Sequence, residues 1–372
     1  MPKTYTLAVI GGGASGLLGA VRAAQLLGGK QVILLEAAPR VGKKLLATGN
    51  GRCNLTNLRV DVCHYHGDTV RAQKLLTAFP PQRILAYFQQ LGLLCREQSE
   101  GRVYPYSMQS ATVLNVLRGQ LSCLGVAEQC GFAVQTIQRR HGDYRVQAKT
   151  GECVLAKYLL LSTGGLAQAG AENGYSLLEQ LHHSTTPLKP ALAPVRVREV
   201  RLVRSLKGVR TQAAVTLSHG GKVLRQTKGE VQFTEHGLSG ICIFELSRDA
   251  LPGDVISLDL VPEYSLPQLQ KLTGGRLDGV LHKALAQVCP FEQCKHFCFT
   301  VEQAEDFRHA QVTAGGVPLE QLDNTCQSLF SPGVWLTGEL LNVDGDCGGF
   351  NLHWAWSTAL CAAQAIFEEA HP

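Results

Sequence analysis

A strand–turn–helix–strand unit at the beginning of the sequence restricts the possible folds more than any other feature. Tyr5–Ile10 is apolar and has the length of a buried strand, and the turn after it carries glycines in the spacing G-x-G-x-x-G. Ala14–Leu27 is rich in alanine and leucine and predicts a helix, after which the apolar strand Gln31–Leu35 ends at Glu36. This order of elements predicts an α/β fold with a dinucleotide-binding turn.

Each glycine of the turn has a separate physical task. Gly11 permits the tight change of direction, Gly13 lets the backbone approach a pyrophosphate, and Gly16 lets the helix pack closely on the strand. The helix N-terminus favours an anion because its N–H groups carry a partial positive charge. Glu36 is placed to accept hydrogen bonds from ribose hydroxyls, which predicts an unphosphorylated ribose, as in FAD or NAD rather than NADP.

Three further segments favour FAD over NAD. Gly42–Asn57 combines glycines with polar and cationic side chains suited to surround a ligand, and the strand Val154–Leu161 ends in a second small-residue turn. The strand Val334–Leu336 leads to two adjacent glycines and a helix predicted from Leu352 to about Glu369. The amides at the start of that helix are expected to face the electron-rich edge of a flavin. A site built from both ends of the sequence suits the elongated FAD, and no covalent link to it is expected.

The predicted cofactor-binding residues come from the first turn, from these three segments and from one position between them. They are Gly11, Gly13, Ala14, Ser15, Gly16, Glu36, Lys43, Lys44, Thr48, Gly49, Asn50, Gly51, Arg52, Cys53, Asn54, Val134, Thr163, Gly164, Gly165, Gly338, Glu339, Asp344, Gly349, Phe350, Asn351 and Leu352.

Composition and charge argue against other classes of protein. The chain is 45% hydrophobic and 17% charged, so a large core is expected rather than disorder. The net charge is +5 and the Lys and Arg residues are scattered, which disfavours nucleic acid or an anionic membrane as the main partner. No apolar run approaches the roughly 18 residues of a membrane span. With no charged-then-apolar leader before the first strand, a cytoplasmic protein is expected.

The cysteines predict neither disulfides nor a metal site. Their number, 13, is odd, their spacing is irregular, and none forms a C-x-x-C pair, which favours free thiols in a reducing compartment. Cys289, Cys294 and Cys298 lie close together in the sequence, but their spacing matches no common zinc pattern.

Several motifs together resemble those of a known family. They are GGGASG at Gly11–Gly16, ATGNGRCNLTN at Ala47–Asn57, GRVYP at Gly101–Pro105, FTEHGLSG at Phe233–Gly240, VTAGGV at Val312–Val317 and TGELLNVDGDCGGFNLHWAWS at Thr337–Ser357. The chain resembles the HI0933-like flavoproteins, bacterial FAD-dependent oxidoreductases of the aminoacetone oxidase or bile-acid reductase group. The resemblance extends over essentially the whole chain.

The resemblance implies a two-dinucleotide-binding-type FAD domain formed by residues 1–186 and 312–372. It also implies an inserted, β-barrel-like substrate domain over 187–311 that carries a small helical lid. The residues agree with this division. Three prolines from Pro187 to Pro194 mark a boundary, alternation around His219–Lys222 predicts a hairpin, and separate short strands are predicted near Glu230–Thr234 and Val255–Leu260. A helical period then appears within 265–298 and predicts two helices.

The sequence departs from the family pattern at three places. Cys347 stands where the family usually has Thr, His353 where it usually has Gln, and Ile241–Cys242 where a proline is expected. The resemblance places Cys347 and His353 at or near the flavin edge, where they are expected to tune reactivity.

The expected activity is transfer of a hydride between flavin N5 and a small organic substrate. His236 is a catalytic candidate because it is titratable and lies in a glycine-flanked turn, and Tyr104 and Arg52 are the other two candidates. An NAD(P)H-dependent reductase is the leading hypothesis, with a flavin oxidase of a small amine or alcohol as the alternative. Because only one complete glycine unit is present, NAD(P)H would have to enter the substrate cleft. An RNA-modifying flavoprotein and a non-enzymatic FAD-binding protein are the alternatives from other classes.

Overall fold

The computed structural model describes residues 3–168 and 174–371. The chain divides into two compact units. The first comprises the described residues of Met1–Leu166, Gly170–Leu188 and Thr313–Pro372, and the second those of Ala167–Ala169 and Lys189–Val312.

A seven-stranded sheet lies at the centre of the described part of the first unit. Its strands are β1 (Lys3–Ile10), β2 (Val32–Glu36), β7 (Ala127–Cys130), β8 (Val134–Arg140), β9 (Asp143–Ala148), β10 (Cys153–Leu161) and β19 (Val334–Leu336), in the order β7-β2-β1-β10-β9-β8 with β19 also beside β10. β7, β2, β1, β10 and β19 run parallel, while β9 is antiparallel to both β8 and β10. β2, β19 and the carboxyl-terminal halves of β1 and β10 are continuous, buried apolar runs, as expected for parallel strands that are covered on both faces.

Strand β10 has different neighbours along its length. On one edge it pairs with β1 throughout, while on the other edge Cys153–Ala156 pairs with β9 and Leu159–Leu161 pairs with β19. The antiparallel hairpin therefore gives way to a strand from near the end of the chain, which brings Thr337 to the carboxyl end of β10.

Helices and two small sheets complete the first unit. The helices are α1 (Ala14–Leu27), α2 (Lys43–Ala47), α3 (Thr69–Ala78), α4 (Pro81–Gln90), α5 (Ser110–Leu124) and α10 (Phe350–Ala370). The small sheets consist of β3 (Thr56–Asn57), β6 (Arg102–Pro105) and β5 (Cys95–Glu97), and of β4 (Tyr65–Gly67) with β20 (Val343–Gly345). Helix α1 packs closely on β10 because Gly19 has no side chain; a Cβ there would lie 2.6 Å from the Leu160 side chain.

The second unit contains a closed antiparallel barrel. Its six strands follow the order β12 (Val195–Val197), β15 (Gly237–Ser239), β14 (Lys222–Phe233), β13 (Arg210–His219), β16 (Val255–Asp259) and β17 (Phe297–Ala304), with β17 pairing back to β12. Its helices are α6 (Val200–Ser205), α7 (Ile241–Leu246), α8 (Leu266–Thr273) and α9 (Lys283–Val288), and the short strands β11 (Lys189–Ala191) and β18 (Val312–Ala314) complete the order of elements. The barrel core includes Phe233, Phe297 and Phe299, onto which Leu269 and Leu285 of the helices also pack.

Some local predictions are confirmed and others are wrong. Helix α1 has the predicted bounds, and the predicted hairpin is formed by β13 and β14 around Gly220 and Gly221, whose φ values of 54° and 84° suit a tight hairpin turn. Glu230–Thr234 is not a separate strand, since β14 runs without interruption to Phe233. The segment Gly42–Asn57, which the sequence suggests as a polar loop around a ligand, also contains α2 and β3. The helical stretch also ends before residue 298, because β17 begins at Phe297.

In the described residues, no helix is both long and apolar enough to cross a membrane. Nor does this part of the chain bring together three or more His, Cys, Asp or Glu side chains in a group that could hold a metal ion.

Candidate functional site

A cleft opens at the carboxyl ends of β1 and β2, beside the N-terminus of α1. The lining residues are Ile10, Gly11, Gly12, Gly13, Leu35, Glu36, Ala37, Ala38, Arg40, Gly42, Lys43, Lys44, Phe132, Ala133, Val134, Lys149, Ser162, Thr163, Gly165, Gly174, Ser176 and Leu177. In an open α/β sheet, this edge is where nucleotides bind.

The glycines of the first turn differ in their surroundings. Gly11 has a φ of +103°, and a Cβ there would lie 2.5 Å from the Ser162 carbonyl oxygen. A Cβ on Gly16 would overlap the Gly11 carbonyl oxygen, so helix and turn approach as closely as their backbones allow. A Cβ on Gly13 would meet nothing within 4 Å. Gly11 and Gly16 are therefore required by the fold, whereas Gly13 borders open space at the helix N-terminus.

Glu36 is held at the wall of the cleft by backbone amides. The Gly12 N–H donates to Oε2 at 2.6 Å, and the Ala38 N–H donates to Oε1 at 2.8 Å. A carboxylate has about four acceptor sites, so each oxygen keeps capacity for one more donor. The two amides fix the carboxylate in a position from which it can accept hydroxyl groups of a ligand.

The other side of the cleft depends on residues from the end of the chain. Lys44 Nζ lies 3.0 Å from Glu339 Oε2 and donates to the Gly165 carbonyl at 3.0 Å, while Glu339 Oε1 accepts the Thr313 N–H. Deeper in the unit, Thr337 Oγ1 lies 2.8 Å from both Ser15 Oγ and Ser162 Oγ. These bonds join α1, β10 and β19 at the carboxyl edge of the sheet.

The loop after α2 has an unusual backbone. Four of its residues have positive φ, namely Gly49 at 56°, Asn50 at 54°, Gly51 at 80° and Cys53 at 58°. Such conformations are costly for residues with a Cβ and persist only where surrounding structure enforces them. Burial raises the pKa of the Cys53 thiol to about 12 despite a hydrogen bond with Thr48, so this cysteine is neutral and unreactive.

Two of the three catalytic candidates lie together. The Arg52 guanidinium stands over the Tyr104 ring, 5.4 Å from its centroid, and Arg52 Nε donates to the Gly49 carbonyl at 3.3 Å. Arg52 is exposed, whereas Tyr104 is buried with 7% of its surface accessible. The ring holds the cation in place while leaving its outer N–H groups able to bind a ligand.

The start of α10 packs on β3 and on Asn54 at the end of the same loop. Asn57 Nδ2 donates to the Gly348 carbonyl at 3.0 Å, and Gly349 precedes the helix with a φ of +100°. The Asn351 side chain bonds the Gly345 backbone through both its oxygen and its nitrogen. The first hydrogen bond within the helix runs from the His353 N–H to the Gly349 carbonyl. The Asn351 and Leu352 N–H groups therefore belong to the first turn, where the helix itself offers no carbonyl to accept them.

His353 connects α10 to β3 from a fully buried position. Its Nδ1 lies 2.8 Å from Thr56 Oγ1. Burial lowers the pKa of His353 from 6.5 to about 4, although the Phe79 carbonyl acts in the opposite direction. The ring is therefore neutral at physiological pH.

The buried His353 predicts a pH-dependent loss of stability. Between about pH 6.5 and 4 the unfolded chain binds a proton at this ring that the folded chain does not, so the free energy of unfolding falls as the pH falls. The full effect below pH 4 is about 3 kcal/mol. We expect His353→Gln, which keeps a partner for Thr56, to remove this part of the pH dependence. Urea unfolding at pH 7, 6, 5 and 4 measures it, with the exposed His371→Gln as control. Equal pH dependence in the His353 variant and the unsubstituted protein would contradict the assignment.

Four buried side-chain polar atoms have no hydrogen-bond partner among the described residues. Two of them, Trp335 Nε1 and His353 Nε2, lie on β19 and α10. The other two are Thr163 Oγ1, whose residue lines the cleft, and Asn54 Oδ1, at the loop that faces the start of α10. A buried polar atom without a hydrogen bond costs about 1–3 kcal/mol. Together with the open space at Gly13, the last two atoms fit a polar ligand that extends from the glycine turn.

The structure brings some of the sequence-predicted site residues into the cleft. Those that line it are Gly11, Gly13, Glu36, Lys43, Lys44, Val134, Thr163 and Gly165. The remaining predicted residues are not among those that line it: Ala14, Ser15 and Gly16 on α1, residues 48–54 in the loop, Gly164 after β10, and Gly338, Glu339, Asp344 and residues 349–352 near the end of the chain. His236 lies in the second unit, half-exposed in the turn between β14 and β15, where its carbonyl accepts the Val197 N–H.

Two cations that line the cleft, Arg40 and Lys149, are not among the residues that the sequence predicts. Arg40 lies four residues after Glu36, between β2 and α2, so its closeness to Glu36 in the sequence could have indicated that it lies at the cleft. Lys149 follows β9, and nothing local in the sequence places it at the mouth of a nucleotide cleft.

Comparisons with known proteins agree with this architecture. A family model described as the HI0933-like protein Rossmann domain matches residues 5–365. The chain is 35% identical to a 3-dehydro-bile acid delta(4,6)-reductase of Clostridium scindens, over 97% of this chain and 99% of that protein. It is 26% identical to a ribosomal RNA dihydrouridine synthase of Haemophilus influenzae, over 96% of this chain and 97% of that protein.

A solved structure shares the fold. The open conformation of a flavocytochrome c3 fumarate reductase superposes with a TM-score of 0.57 at 15% identity, over all of this chain and 79% of that one. The expected fold class, a Rossmann-like α/β unit with an antiparallel barrel, is confirmed.

Proposed function

The chain belongs to the HI0933-like family, and from this premise we propose that it is an FAD-dependent oxidoreductase that acts on a small organic substrate. The observation that carries the proposal is the cleft, in which the glycine turn, the N-terminus of α1 and the Glu36 carboxylate meet. These groups match the pyrophosphate and ribose of a dinucleotide. When bound, FAD supplies a centre that accepts and donates hydride.

We assign the two ends of the cofactor to different elements. Gly11 and Gly13 receive the pyrophosphate, while Glu36 accepts the ribose hydroxyls and Val134 packs beside the adenine. The loop of residues 48–54 and the first turn of α10 hold the ring system, whose electron-rich edge the Asn351 and Leu352 amides stabilise. The domain assignment follows, with FAD bound by residues 1–186 and 312–372 and the substrate by residues 187–311, where the helices of 265–298 form a lid.

The catalytic roles belong to three residues in this proposal. Arg52, fixed over the Tyr104 ring, polarises a carbonyl or carboxylate oxygen of the substrate with its outer N–H groups. Tyr104 and His236 are the candidates for moving a proton to or from the substrate carbon adjacent to the one that exchanges hydride.

The preferred direction is reduction of an alkene activated by a carbonyl group, with NAD(P)H as electron donor. The relative from Clostridium scindens is named as a reductase and supports this direction. Oxidation of a small amine or alcohol is the alternative, because the same residues could also position a substrate that donates hydride to the flavin.

A second candidate is reduction of a pyrimidine in RNA. It is favoured by the ribosomal RNA dihydrouridine synthases, whose similarity covers nearly the whole chain at 26% identity. The initial expectation that nucleic acid is not a partner therefore stays open.

Flavin reduction and reoxidation test the proposal. We expect the purified protein to be yellow and acid precipitation to release FAD into the supernatant. In anaerobic stopped flow, NADH and NADPH should bleach the flavin at similar rates that saturate only at high concentration. The reason is that the chain has one complete glycine unit and the cofactor occupies it. Reoxidation by a conjugated enone identifies the small-molecule reductase, whereas reoxidation by uridine-containing RNA alone identifies the second candidate.

Each part of the proposal can be contradicted by a specific result. Release of FMN instead of FAD would overturn the cofactor assignment. Saturation by NADH at low micromolar concentration with rejection of NADPH would reveal a dedicated nicotinamide site. A Tyr104→Phe variant keeps the aromatic ring under Arg52, so a slower reoxidation step in this variant would implicate the phenol itself.

A further inference from the structure

A basic segment lies at the beginning of the barrel. Between residues 196 and 210 the sequence RVREVRLVRSLKGVR contains Arg196, Arg198, Arg201, Arg204, Lys207 and Arg210, and from Arg198 onward a cation recurs every third residue. Glu199 is the one acid in this stretch. The expectation that Lys and Arg are evenly scattered is therefore wrong for these fifteen residues.

The structure turns that acid away from the arginines. Both Glu199 oxygens accept hydrogen bonds from Thr300 on β17, one from its N–H and one from its hydroxyl, each at 2.9 Å. Arg198 lies just after β12, Arg201 and Arg204 lie on α6, and all three are exposed. The Glu199 carboxylate therefore bonds to strand β17 of the barrel and does not neutralise the neighbouring arginines.

The flanking cations are paired and the central ones are not. Arg196 pairs with Glu302 at 3.3 Å, Lys207 with Glu235 at 2.8 Å, and Arg210 with Glu230 at 3.2 Å. Within the described residues, Arg198, Arg201 and Arg204 make no ion pair within 4 Å of a carboxylate. We call these three residues the arginine strip.

The arginine strip adjoins the turn that contains His236. The pKa of Glu235 is lowered first by its bond to Lys207, and also by the charges of His236 and Arg204. The Val197 N–H donates to the His236 carbonyl at 3.1 Å, and Arg198 is the next residue. One surface of the barrel therefore combines a titratable imidazole with three unpaired guanidinium groups.

We propose that the arginine strip binds the phosphate groups of an anionic ligand. Guanidinium groups present forked donors that match phosphate oxygens, and exposed cations without carboxylate partners are available to do so. Two sources share this chemistry, the backbone of an RNA strand and a small molecule that carries several phosphates. The inference does not require the flavin chemistry; with RNA as ligand it rests on the second candidate function and gives it a binding surface.

The test uses the FAD-loaded full chain and its Arg198→Gln/Arg201→Gln/Arg204→Gln variant. The matched control is Lys30→Gln/Lys74→Gln/Arg140→Gln, which removes three exposed cations that lie outside the proposed substrate domain and, within the described residues, have no carboxylate within 4 Å. Fluorescence anisotropy measures binding of a labelled single-stranded RNA of about twenty nucleotides across salt concentrations, and sodium triphosphate serves as competitor and as a separate calorimetric probe. Single strands release about 0.7 counterion per phosphate contact, so the slope of log affinity against log salt should fall by about 2 in the strip variant.

The outcomes separate the sources and the alternatives. Weakening of RNA binding by tenfold or more in the strip variant but not in the control supports the proposal with RNA as ligand. The same loss for triphosphate alone supports a small phosphate-bearing ligand. Equal binding by strip variant and control in both arms, or no binding of either probe by the unsubstituted protein, overturns it. The visible flavin spectrum and NADPH bleaching are recorded in parallel, so failure of the redox proposal is detected separately.

Discussion

Gly13→Ala is expected to give a folded protein that has lost most of its FAD, whereas Gly16→Ala is expected to damage the fold itself. At position 13 the backbone has φ −79° and ψ −167°, an extended conformation that alanine adopts without strain, and an added methyl group meets no protein atom within 4 Å. The methyl would instead occupy the space assigned to the pyrophosphate. Overpacking of this kind costs about 1–3 kcal/mol, or roughly 10- to 100-fold in affinity.

Position 16 behaves differently because its neighbour is backbone. A methyl there overlaps the Gly11 carbonyl oxygen, so α1 has to move away from the turn. We expect a loss of about 3 kcal/mol or more in the free energy of unfolding. Thermal unfolding of the FAD-free proteins and the ratio of flavin to protein after gel filtration distinguish the two variants. A Gly13→Ala protein that keeps full FAD, or one that unfolds as readily as Gly16→Ala, would refute the assignment of these glycines.

Glu36→Ala should weaken FAD binding by about 100-fold or more. The proposal gives this carboxylate two ribose hydroxyl groups, and hydrogen bonds to a charged acceptor contribute about 1.5–3 kcal/mol each. Equilibrium dialysis of FAD against the FAD-free protein measures the loss. The control is Glu97→Ala, an exposed position on β5 outside the cleft.

The same substitution also removes the acceptor of the Gly12 and Ala38 amides. Some loss of stability in the FAD-free protein is therefore expected, and thermal unfolding without FAD measures it separately. Unchanged FAD affinity in a stable Glu36→Ala protein would show that the ribose lies elsewhere.

The fold of the first unit could be predicted where residues close together in the sequence determine the local structure. The glycine spacing, the helix Ala14–Leu27 and the acid at the end of β2 lie within one βαβ unit, and each is fixed by neighbours in sequence. The barrel was harder. A separate strand was predicted near Glu230–Thr234, but β14 continues through Gly229 because its pairing with β13 extends past this residue to Gln232.

Contacts between residues far apart in the sequence also limited the prediction of the candidate site. Thr56 and His353 are 297 residues apart, and only the packing of α10 on the small sheet brings them within hydrogen-bonding distance. Lys149 reaches the cleft for a similar reason. The arginine strip was missed for another reason, because a net charge of +5 averages over the whole chain and conceals a local block whose one acid is occupied elsewhere.

The bond between Ser15 and Thr337 sets an order of events during synthesis. The two hydroxyl groups are separated by 322 residues, so at about 5–20 residues per second the second leaves the ribosome roughly 15–65 s after the first. The barrel strands, from Val195 to Ala304, emerge within that interval, and their sequence is contiguous. The nascent barrel can therefore fold while β1 and β10 still lack β19. Under the proposed function, capture of FAD becomes a late step. Until β19 pairs with Leu159–Leu161, this apolar edge of β10 is an exposed surface that chaperones would recognise.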